Sequence, residues 1–370
     1  MRILIIGGTG ILSRAIAMKA IIAGHQVTIV TDGNGDLSEP IGIERHLKVD
    51  RNDPVALQQA FATTGVESWD LVVDAICYNP HQAAHLIPLI ADKSKHTIII
   101  STAILYDPSI SRPLQPNDNL ATDLELGKYG RKKVKMERVW LDAYHQQSHP
   151  VTILRPPHIL GAGAELGIIP LHNRDRQLIN RLKNHQPLLL TDRGEQKLQV
   201  VFSEDIADVI LASAGKPQTF GQIYNCANPD VITAYEYFAT IAELLGVELR
   251  VKNIAKESVW QSNWGWIITT VSRVLDMSSL ERDVGLIPRT SIKKALNVTL
   301  DYLLSNSVDR DSPDLSLVEL EYGLEHGESL DRLLSDTARH RERLPIDLRM
   351  NIDPPIYSIQ NQINMMRVAR

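Results

Sequence analysis

A chain of 370 residues is long enough for one large α/β unit with a smaller lobe. Its net charge of −5 and its pI of about 6.2 argue against a general nucleic-acid-binding protein, and it has no apolar stretch of about 18 residues to span a membrane. Cys77 and Cys226 lie in apolar surroundings, which predicts buried free thiols in a reducing cytoplasm rather than a disulfide or a metal pair.

The chain begins with a predicted strand, a glycine-rich turn and a predicted helix. Residues 2–6 are a short apolar run typical of a buried parallel strand, and residues 15–23 are an apolar helical stretch. Glycines permit a tight turn close to a pyrophosphate, and the first N–H groups of a helix attract that anion. The turn residues expected to bind a dinucleotide are Gly7, Gly10, Ile11 and Leu12. Ser13 replaces the third glycine of the usual spacing, and an ordinary strand–helix turn is the alternative.

The second predicted strand, Gln26–Val30, is followed by a candidate ribose ligand. An acidic residue about 20 positions after the glycines commonly binds the adenosine ribose hydroxyls. Asp32 fits this role, although Thr31 occupies the other candidate position. Residues 26–40 contain no Arg or Lys to bind a 2′-phosphate, so the sequence favours NAD over NADP.

A third short run, His46–Val49, ends at Asp50, which could contact the adenine or could be a plain turn residue. Strand patterns then recur at Leu71–Ile76, Thr97–Ile100 and Val151–Leu154, with helical patterns between them. This alternation predicts a doubly wound parallel sheet with helices on both faces.

Tyr129 and Lys133 stand four residues apart in a stretch predicted to be helical. Residues i and i+4 share one face of a helix, so the phenol and the ammonium can act together. An ammonium beside a phenol favours the phenolate and so lowers the tyrosine pKa towards the range of a general base. The nearby cations are interpreted mainly as the solvated face of this helix: Lys128, Arg131, Lys132 and Lys135.

Together these features resemble the short-chain dehydrogenase/reductase superfamily, in its extended or atypical epimerase/dehydratase branch, from Met1 to about Leu304. Besides the glycine turn and the Tyr129–Lys133 pair, the matching segments, in the family's order, are 100–106, 153–161, 201–207, 221–227 and 276–299. The resemblance implies a Rossmann-type doubly wound parallel sheet with a smaller C-terminal α/β substrate lobe.

The resemblance also implies a role for each matched residue. Tyr129 would be the general base or acid, and Lys133 would bind the nicotinamide ribose and tune Tyr129. Thr102, four residues before Tyr106, would hydrogen-bond the reacting oxygen, and the backbone at Pro156 would lie near the nicotinamide. Two residues later, a histidine could be a second acid–base group or a structural residue: His158.

Two departures from the family pattern narrow the range of expected reactions and substrates. The 4,6-dehydratase branch carries Asp-Glu after its catalytic threonine, whereas this chain has Ala103-Ile104, so that reaction is not expected. Nucleotide-sugar epimerases often place an arginine shortly before the segment that matches 202–205. Here Lys197 stands near that position, and a lysine lacks the bidentate fork of arginine. A UDP- or dTDP-sugar substrate is therefore not favoured.

The predicted domain organisation has three parts. Residues 1–165 and 198–232 form the Rossmann dinucleotide-binding domain, residues 166–197 and 233–305 form the substrate lobe, and residues 306–370 form a C-terminal extension. The extension could cover the site, mediate assembly, with a homodimer as one possibility, or partly lack order.

Within the lobe, the sequence predicts helices over Asn173–Asn184 and Ala234–Leu245, and two short strands at 188–190 and 198–201 around a turn at 192–194. Tryptophans 260, 264 and 266 either pack in the lobe or form an aromatic wall over an apolar substrate.

The sequence thus predicts an NAD-dependent oxidoreductase or epimerase that acts on a secondary alcohol or ketone of a small molecule, with Tyr129 as general acid/base. Two alternatives stay open: a redox-neutral isomerase or dehydratase with bound NAD in secondary metabolism, and a non-enzymatic NAD- or RNA-binding member. The histidine and cysteine spacings suggest no metal site.

Overall fold

The computed structural model describes residues 1–34, 40–168, 172, 175–254 and 270–306. Its strands are β1 Arg2–Ile6, β2 Gln26–Thr31, β3 Arg45–Lys48, β4 Leu71–Asp74, β5 Thr97–Ile100, β6 Val151–Arg155, β7 His158–Leu160, β8 Leu188–Thr191, β9 Lys197–Leu198, β10 Val200–Phe202, β11 Gln222–Asn225, β12 Ile232–Thr233 and β13 Val251–Ile254. Its helices are α1 Ile11–Ile22, α2 Pro54–Ala62, α3 Pro80–Ile90, α4 Asp123–Gln147, α5 Leu178–Lys183, α6 Ser203–Ser213, α7 Ala234–Leu245, α8 Ser278–Val284 and α9 Ile292–Ser305.

Seven of the strands form one parallel sheet in the order β11-β6-β5-β4-β1-β2-β3. Strands β4, β5 and β6 are buried along their whole length, as expected of a parallel sheet covered on both faces. Side chains of β1 alternate between two cores: Ile3 and Ile5 pack with α1 and α6, whereas Leu4 and Ile6 pack with α2, α3 and α4. The predicted doubly wound α/β fold is confirmed.

The second lobe has its own hydrophobic core, built from α5, α7, α9 and the short strands β7, β8 and β10. Helix α7 has the predicted bounds, because Thr233 and Glu236 form a capping box at its start and Gly246 takes a left-handed conformation after its end. Helix α8, in the range predicted for this lobe, instead packs Leu280 and Val284 on the sheet core beside α1 and α6. The domain boundaries themselves stay a prediction.

Two predictions within this lobe differ from the structure. The strand predicted over 198–201 is broken at Gln199, whose amide donates to Asn228 O and accepts the Leu275 N–H (2.7 and 2.6 Å). The two parts, β9 and β10, pair with β12 and β7 rather than with β8. The helix predicted from 173 begins at Leu178, because the carboxylate of Asp175 accepts the Gln177 N–H at 2.9 Å and forms a turn before it.

Both cysteines are buried free thiols, as predicted, and burial raises the pKa of Cys77 to about 12. In the described part of the chain, no helix is long and apolar enough to cross a membrane. The predicted tryptophan cluster and the chain after Asn306 lie outside the described residues.

A buried histidine sits at the amino ends of β5 and β6. The Nδ1 of His96 accepts the Gly215 N–H at 3.2 Å, so the imidazole is neutral with its proton on Nε2, which lies 2.9 Å from the Thr152 hydroxyl. A second proton on Nδ1 would oppose the Gly215 N–H. Burial lowers the pKa of His96 to about 4, and burial also lowers that of His149 on the neighbouring loop.

We expect the free energy of unfolding to fall as the pH drops from about 6.5 to about 4. In that window the unfolded chain binds a proton at this histidine and the folded chain does not, so acid favours unfolding by up to about 3 kcal/mol. Urea unfolding of His96→Gln across this range should show a shallower pH slope. His145→Gln, at an exposed histidine, is the comparison variant. An unchanged slope in His96→Gln would contradict the assignment.

Candidate cofactor and active site

The sheet order places a crevice at the carboxyl ends of β1 and β4. The chain leaves β1 towards β2 on one side, and β4 continues the sheet on the other side, so the loops that follow these two strands diverge. In open parallel sheets, nucleotides bind in the crevice at such a switch point. The sequence-predicted cofactor residues follow four of the parallel strands or lie on helices: Gly7, Gly10, Ile11 and Leu12 after β1, Asp32 after β2, Asp50 after β3, Pro156 after β6, and Lys133 on α4.

The main chain directly after β1 leaves no room for a side chain at Gly7 or Gly8. Gly7 and Gly8 have φ angles of +112° and +142°, and the Gly7 N–H donates to Val30 O at 2.8 Å. A Cβ at Gly8 would stand 2.7 Å from the Cβ of Ile29. The bare main chain can therefore approach a diphosphate closely, which fits a dinucleotide.

Ser13 closes the start of α1 in place of the third glycine. Its buried hydroxyl accepts the Gly10 N–H at 3.2 Å and donates to Gly10 O at 3.3 Å. Ile11 and Leu12 begin the helix, where main-chain N–H groups have no helical acceptor. These two N–H groups, with the positive end of the helix dipole, are the donors suited to an anion.

The acidic candidates differ in how their carboxylates are used. Asp32 is exposed directly after β2, and its Oδ1 accepts the Asn34 N–H at 2.9 Å. The competing Thr31 is buried, and its hydroxyl lies 2.7 Å from His46 Nε2. Asp50 Oδ1 accepts both the main-chain and side-chain N–H groups of Asn52, at 2.8 and 2.9 Å, so it forms a turn. Each of the two carboxylates thus accepts the main-chain N–H two residues on, and that of Asp50 also accepts a side-chain N–H.

Lys133 contacts the main chain that follows β4 and the end of the neighbouring strand β5. Its buried ammonium donates to Cys77 O at 2.8 Å, after β4, and to Ile100 O at 2.9 Å, at the end of β5. Burial lowers its pKa to about 8. The ring centroid of Tyr129 lies 6.0 Å from the ammonium, so the structure brings the predicted pair together, with Tyr129 half-exposed.

Helix α4 is interrupted just before Tyr129. Thr122 and Glu125 form a capping box on its first turn, and Gly127 then takes φ +59° and ψ −170°, a conformation open essentially to glycine alone. The continuous helix therefore begins after this break, and Tyr129 stands in its first turn. The sequence pattern missed this break, although Gly127 was its visible signal.

Thr102 lies in the loop after β5. Its Oγ1 accepts the Ile104 N–H at 3.4 Å and caps a short 3₁₀ turn, and the Ala103 N–H donates to Pro156 O at 2.9 Å. The carbonyl of Pro156 thereby holds the Thr102 loop against the end of β6.

A buried network missed by the sequence analysis holds α4 to the sheet. The guanidinium of Arg155, at the end of β6, donates to both carboxylate oxygens of Glu137, at 2.9 and 2.6 Å. The same guanidinium stacks 5.0 Å from the ring of Tyr106, whose hydroxyl donates to Asn225. Glu137 is one turn after Lys133 on the same helix face, which is the signal that could have revealed it.

A cavity of about 190 Å³ lies beside Thr102, which forms part of its wall. Its walls are Thr102, Ala103, Ile104, Pro157, His158, Ile168, Gln196, Lys197, Leu198, Gln199, Val200, Val271, Arg273 and Leu275. These walls include Thr102 but neither Tyr129 nor Lys133. The His158 Nε2 lies 3.2 Å from Glu165 O, a contact compatible with a structural role.

Arg273 is a charged cavity residue that the sequence analysis missed. Its guanidinium donates to Ala103 O at 3.3 Å and to Tyr106 O at 2.7 Å. Arg273 and Lys197 give the cavity two cationic walls, and no acidic side chain lines it among the described residues. Nor do the described residues contain a cluster of three or more potential metal ligands.

A glycine turn after β1, this strand order and a Tyr–Lys pair on α4 define a Rossmann-type protein of the short-chain dehydrogenase/reductase class. The model of the NAD dependent epimerase/dehydratase family matches residues 3–227, and the chain belongs to this family.

Its relatives are named for diverse activities. The chain is 27% identical over 248 residues to the chloroplast stem-loop binding protein of 41 kDa b of Arabidopsis thaliana, covering 63% of this chain and 60% of that protein. It is 23% identical over 266 residues to UDP-D-apiose/UDP-D-xylose synthase 2 of the same plant, covering 62% and 67%. The chain thus spans about 60% of the first relative's length.

The fold is shared with a solved epimerase. The UDP-glucose 4-epimerase of Thermotoga maritima superposes with a TM-score of 0.67 at 17% identity, covering 82% of this chain and 99% of that one. At this identity, the likeness shows the fold alone.

Proposed function

We propose that this chain is an NAD-dependent oxidoreductase or epimerase that acts on a secondary alcohol or ketone of a small molecule. The observation that carries the proposal is the position of Lys133. It is anchored at 2.8 and 2.9 Å to the ends of two neighbouring strands and stands beside Tyr129, at the crevice that the glycine turn also borders.

Each residue of the site has a chemical task. The phenol of Tyr129 takes the proton from the substrate hydroxyl, or gives it to a ketone oxygen in reverse. The ammonium of Lys133 stabilises the phenolate form, and the hydroxyl of Thr102 donates to the reacting oxygen. NAD, when bound, supplies the hydride acceptor and donor. The residues proposed to hold it are Gly7, Gly10, Ile11, Leu12, Asp32, Asp50, Lys133 and Pro156.

The cavity limits the substrate. Its volume of about 190 Å³ suits a small molecule, and its walls combine apolar side chains with Arg273 and Lys197. Two cations and no described carboxylate favour a substrate with an apolar body and an anionic group.

The experiment first identifies the nicotinamide nucleotide released from the denatured protein. A panel of ketones that carry a carboxylate is then tested with NADH deuterated at C4. Each keto acid is compared with its methyl ester. Deuterium in the alcohol that forms from the ketone group of these keto acids supports the oxidoreductase hypothesis. Substrate isomerisation without net NADH consumption supports the redox-neutral alternative. No nucleotide binding and no turnover of any pair would refute the enzyme proposal.

RNA binding is a second candidate, because one relative is named as a stem-loop binding protein. Exposed cations at helical spacing along α4 also favour it: Lys132, Lys135 and Arg138. A gel-shift titration with a stem-loop RNA at low and at high salt tests it. Binding that is tight, salt-sensitive and lost on Lys132→Gln/Lys135→Gln would support it.

The choice of NAD over NADP rests on Asp32. Asp32→Ala should weaken NAD binding and relax discrimination against NADP, because a ribose ligand and the negative charge that repels a 2′-phosphate are both lost. Fluorescence titration of both cofactors measures this. Asp50→Ala is the comparison, with a smaller expected effect because Asn52 already occupies its carboxylate. Tighter binding of NADP than of NAD by the unmodified protein would contradict the assignment.

A further inference from the structure

Tyr78 is an aromatic residue at the cofactor crevice to which the proposed chemistry gives no role. It follows Cys77, whose carbonyl accepts the Lys133 ammonium at 2.8 Å. It precedes Asn79, the residue that caps α3. Its side chain is 48% exposed, an uncommon position for a large ring beside a buried charge.

The loop that carries Tyr78 is held by side-chain hydrogen bonds. The Tyr78 N–H donates to Gln82 Oε1 at 2.7 Å, and Gln82 Nε2 donates to Asn52 Oδ1 at 2.9 Å. Gln82 is buried, and its own N–H donates to the Asn79 side chain at 3.1 Å. The main chain at Tyr78 is thus fixed from α3 and from the loop before α2.

The ring of Tyr78 is nearer to the Lys133 ammonium than the ring of Tyr129 is. The distances from the ammonium to the two ring centroids are 5.0 and 6.0 Å. Both lie within the range of a cation–π attraction, which stabilises the charged form of a lysine. Two phenol rings therefore flank one ammonium.

We propose that Tyr78 is a positioning residue of the cofactor site, whose ring keeps the Lys133 ammonium charged and in place, and so sets the pH range in which the chain binds NAD. This rests on the proposed function, since it assumes that Lys133 contacts the cofactor. Tyr78 acts through Lys133 and takes no proton itself.

Other groups also act on this lysine. The pKa of Lys133 is lowered to about 8, mainly by burial and in part by Arg51, whereas the carboxylates of Asp74 and Glu137 raise it. Loss of one attractive contact, such as the Tyr78 ring, should therefore lower the pKa of Lys133. The ammonium would then lose its proton at a lower pH. NAD affinity, which depends on the charged form, should then decline at a lower pH too.

The experiment titrates NAD by calorimetry between pH 6 and pH 9.5 with the unmodified protein, Tyr78→Phe and Tyr78→Leu. We expect Tyr78→Leu to move the midpoint of the affinity loss down by about half a pH unit and to weaken binding about threefold above it. Tyr78→Phe keeps the ring and should match the unmodified protein. Tyr235→Leu is the control, since Tyr235 is 46% exposed and lies on α7 of the other lobe.

An unchanged midpoint in Tyr78→Leu overturns the proposal. An equal downward shift in Tyr78→Phe and Tyr78→Leu also overturns it, because the hydroxyl and not the ring would then be responsible.

If the unmodified protein binds no NAD at any pH, the proposed function fails, and the ring contact is judged in the free protein. The melting temperature is then compared for Tyr78→Leu in the natural and in the Lys133→Met background. A fall in melting temperature that appears only when Lys133 is present supports the contact. An equal fall in both backgrounds refutes it.

Discussion

Replacement of Tyr129 by phenylalanine should lower turnover by about 10²–10⁴-fold, the usual contribution of a general acid–base group. The substitution removes only the hydroxyl and keeps the ring 6.0 Å from the Lys133 ammonium. Because Tyr129 is 43% exposed, folding and NAD affinity should stay unchanged. Steady-state kinetics and a cofactor titration on the same preparation measure the two effects separately.

Tyr235→Phe is a matched control with similar exposure, and it should keep full activity. Turnover of Tyr129→Phe within a few-fold of normal would show that another group carries the proton. His158, which lines the cavity, would then be the first residue to substitute.

Removal of the Glu137 carboxylate should destabilise the fold by about 3–5 kcal/mol, because Arg155 would be left buried without its charge partner. Both side chains of this pair are at most 4% exposed, and the guanidinium makes two hydrogen bonds to the carboxylate. Urea unfolding of Glu137→Ala measures the loss. Since α4 also carries Lys133, NAD affinity should fall with it.

Glu243→Ala is the control, because Glu243 forms an ion pair of 2.7 Å with Lys293 on the surface, where both side chains are more than half exposed. That change should cost about 0–1 kcal/mol. The double variant Glu137→Met/Arg155→Met should recover part of the stability by removing the unpaired charge. A cost for Glu137→Ala no larger than that of the control would show that the pair does not hold α4.

The sequence alone determined the features that depend on neighbouring residues. The glycine turn was readable because the positive φ angles of Gly7 and Gly8 admit almost no other residue. Helix α7 was readable because its capping box and its terminal glycine lie within one short segment. The parallel sheet followed from alternating buried runs, and Tyr129 and Lys133 were paired because four residues make one helical turn.

Only the tertiary structure decided which distant segments meet. Lys133 contacts Cys77, 56 residues away, and Arg273 reaches Ala103 across 170 residues to wall the cavity. The partners of β8, β9 and β10 were likewise unreadable, because hydrophobic pattern gives a strand's buried face but not its neighbour. Such contacts form where tertiary packing brings distant segments together, and no local spacing in the chain records that packing.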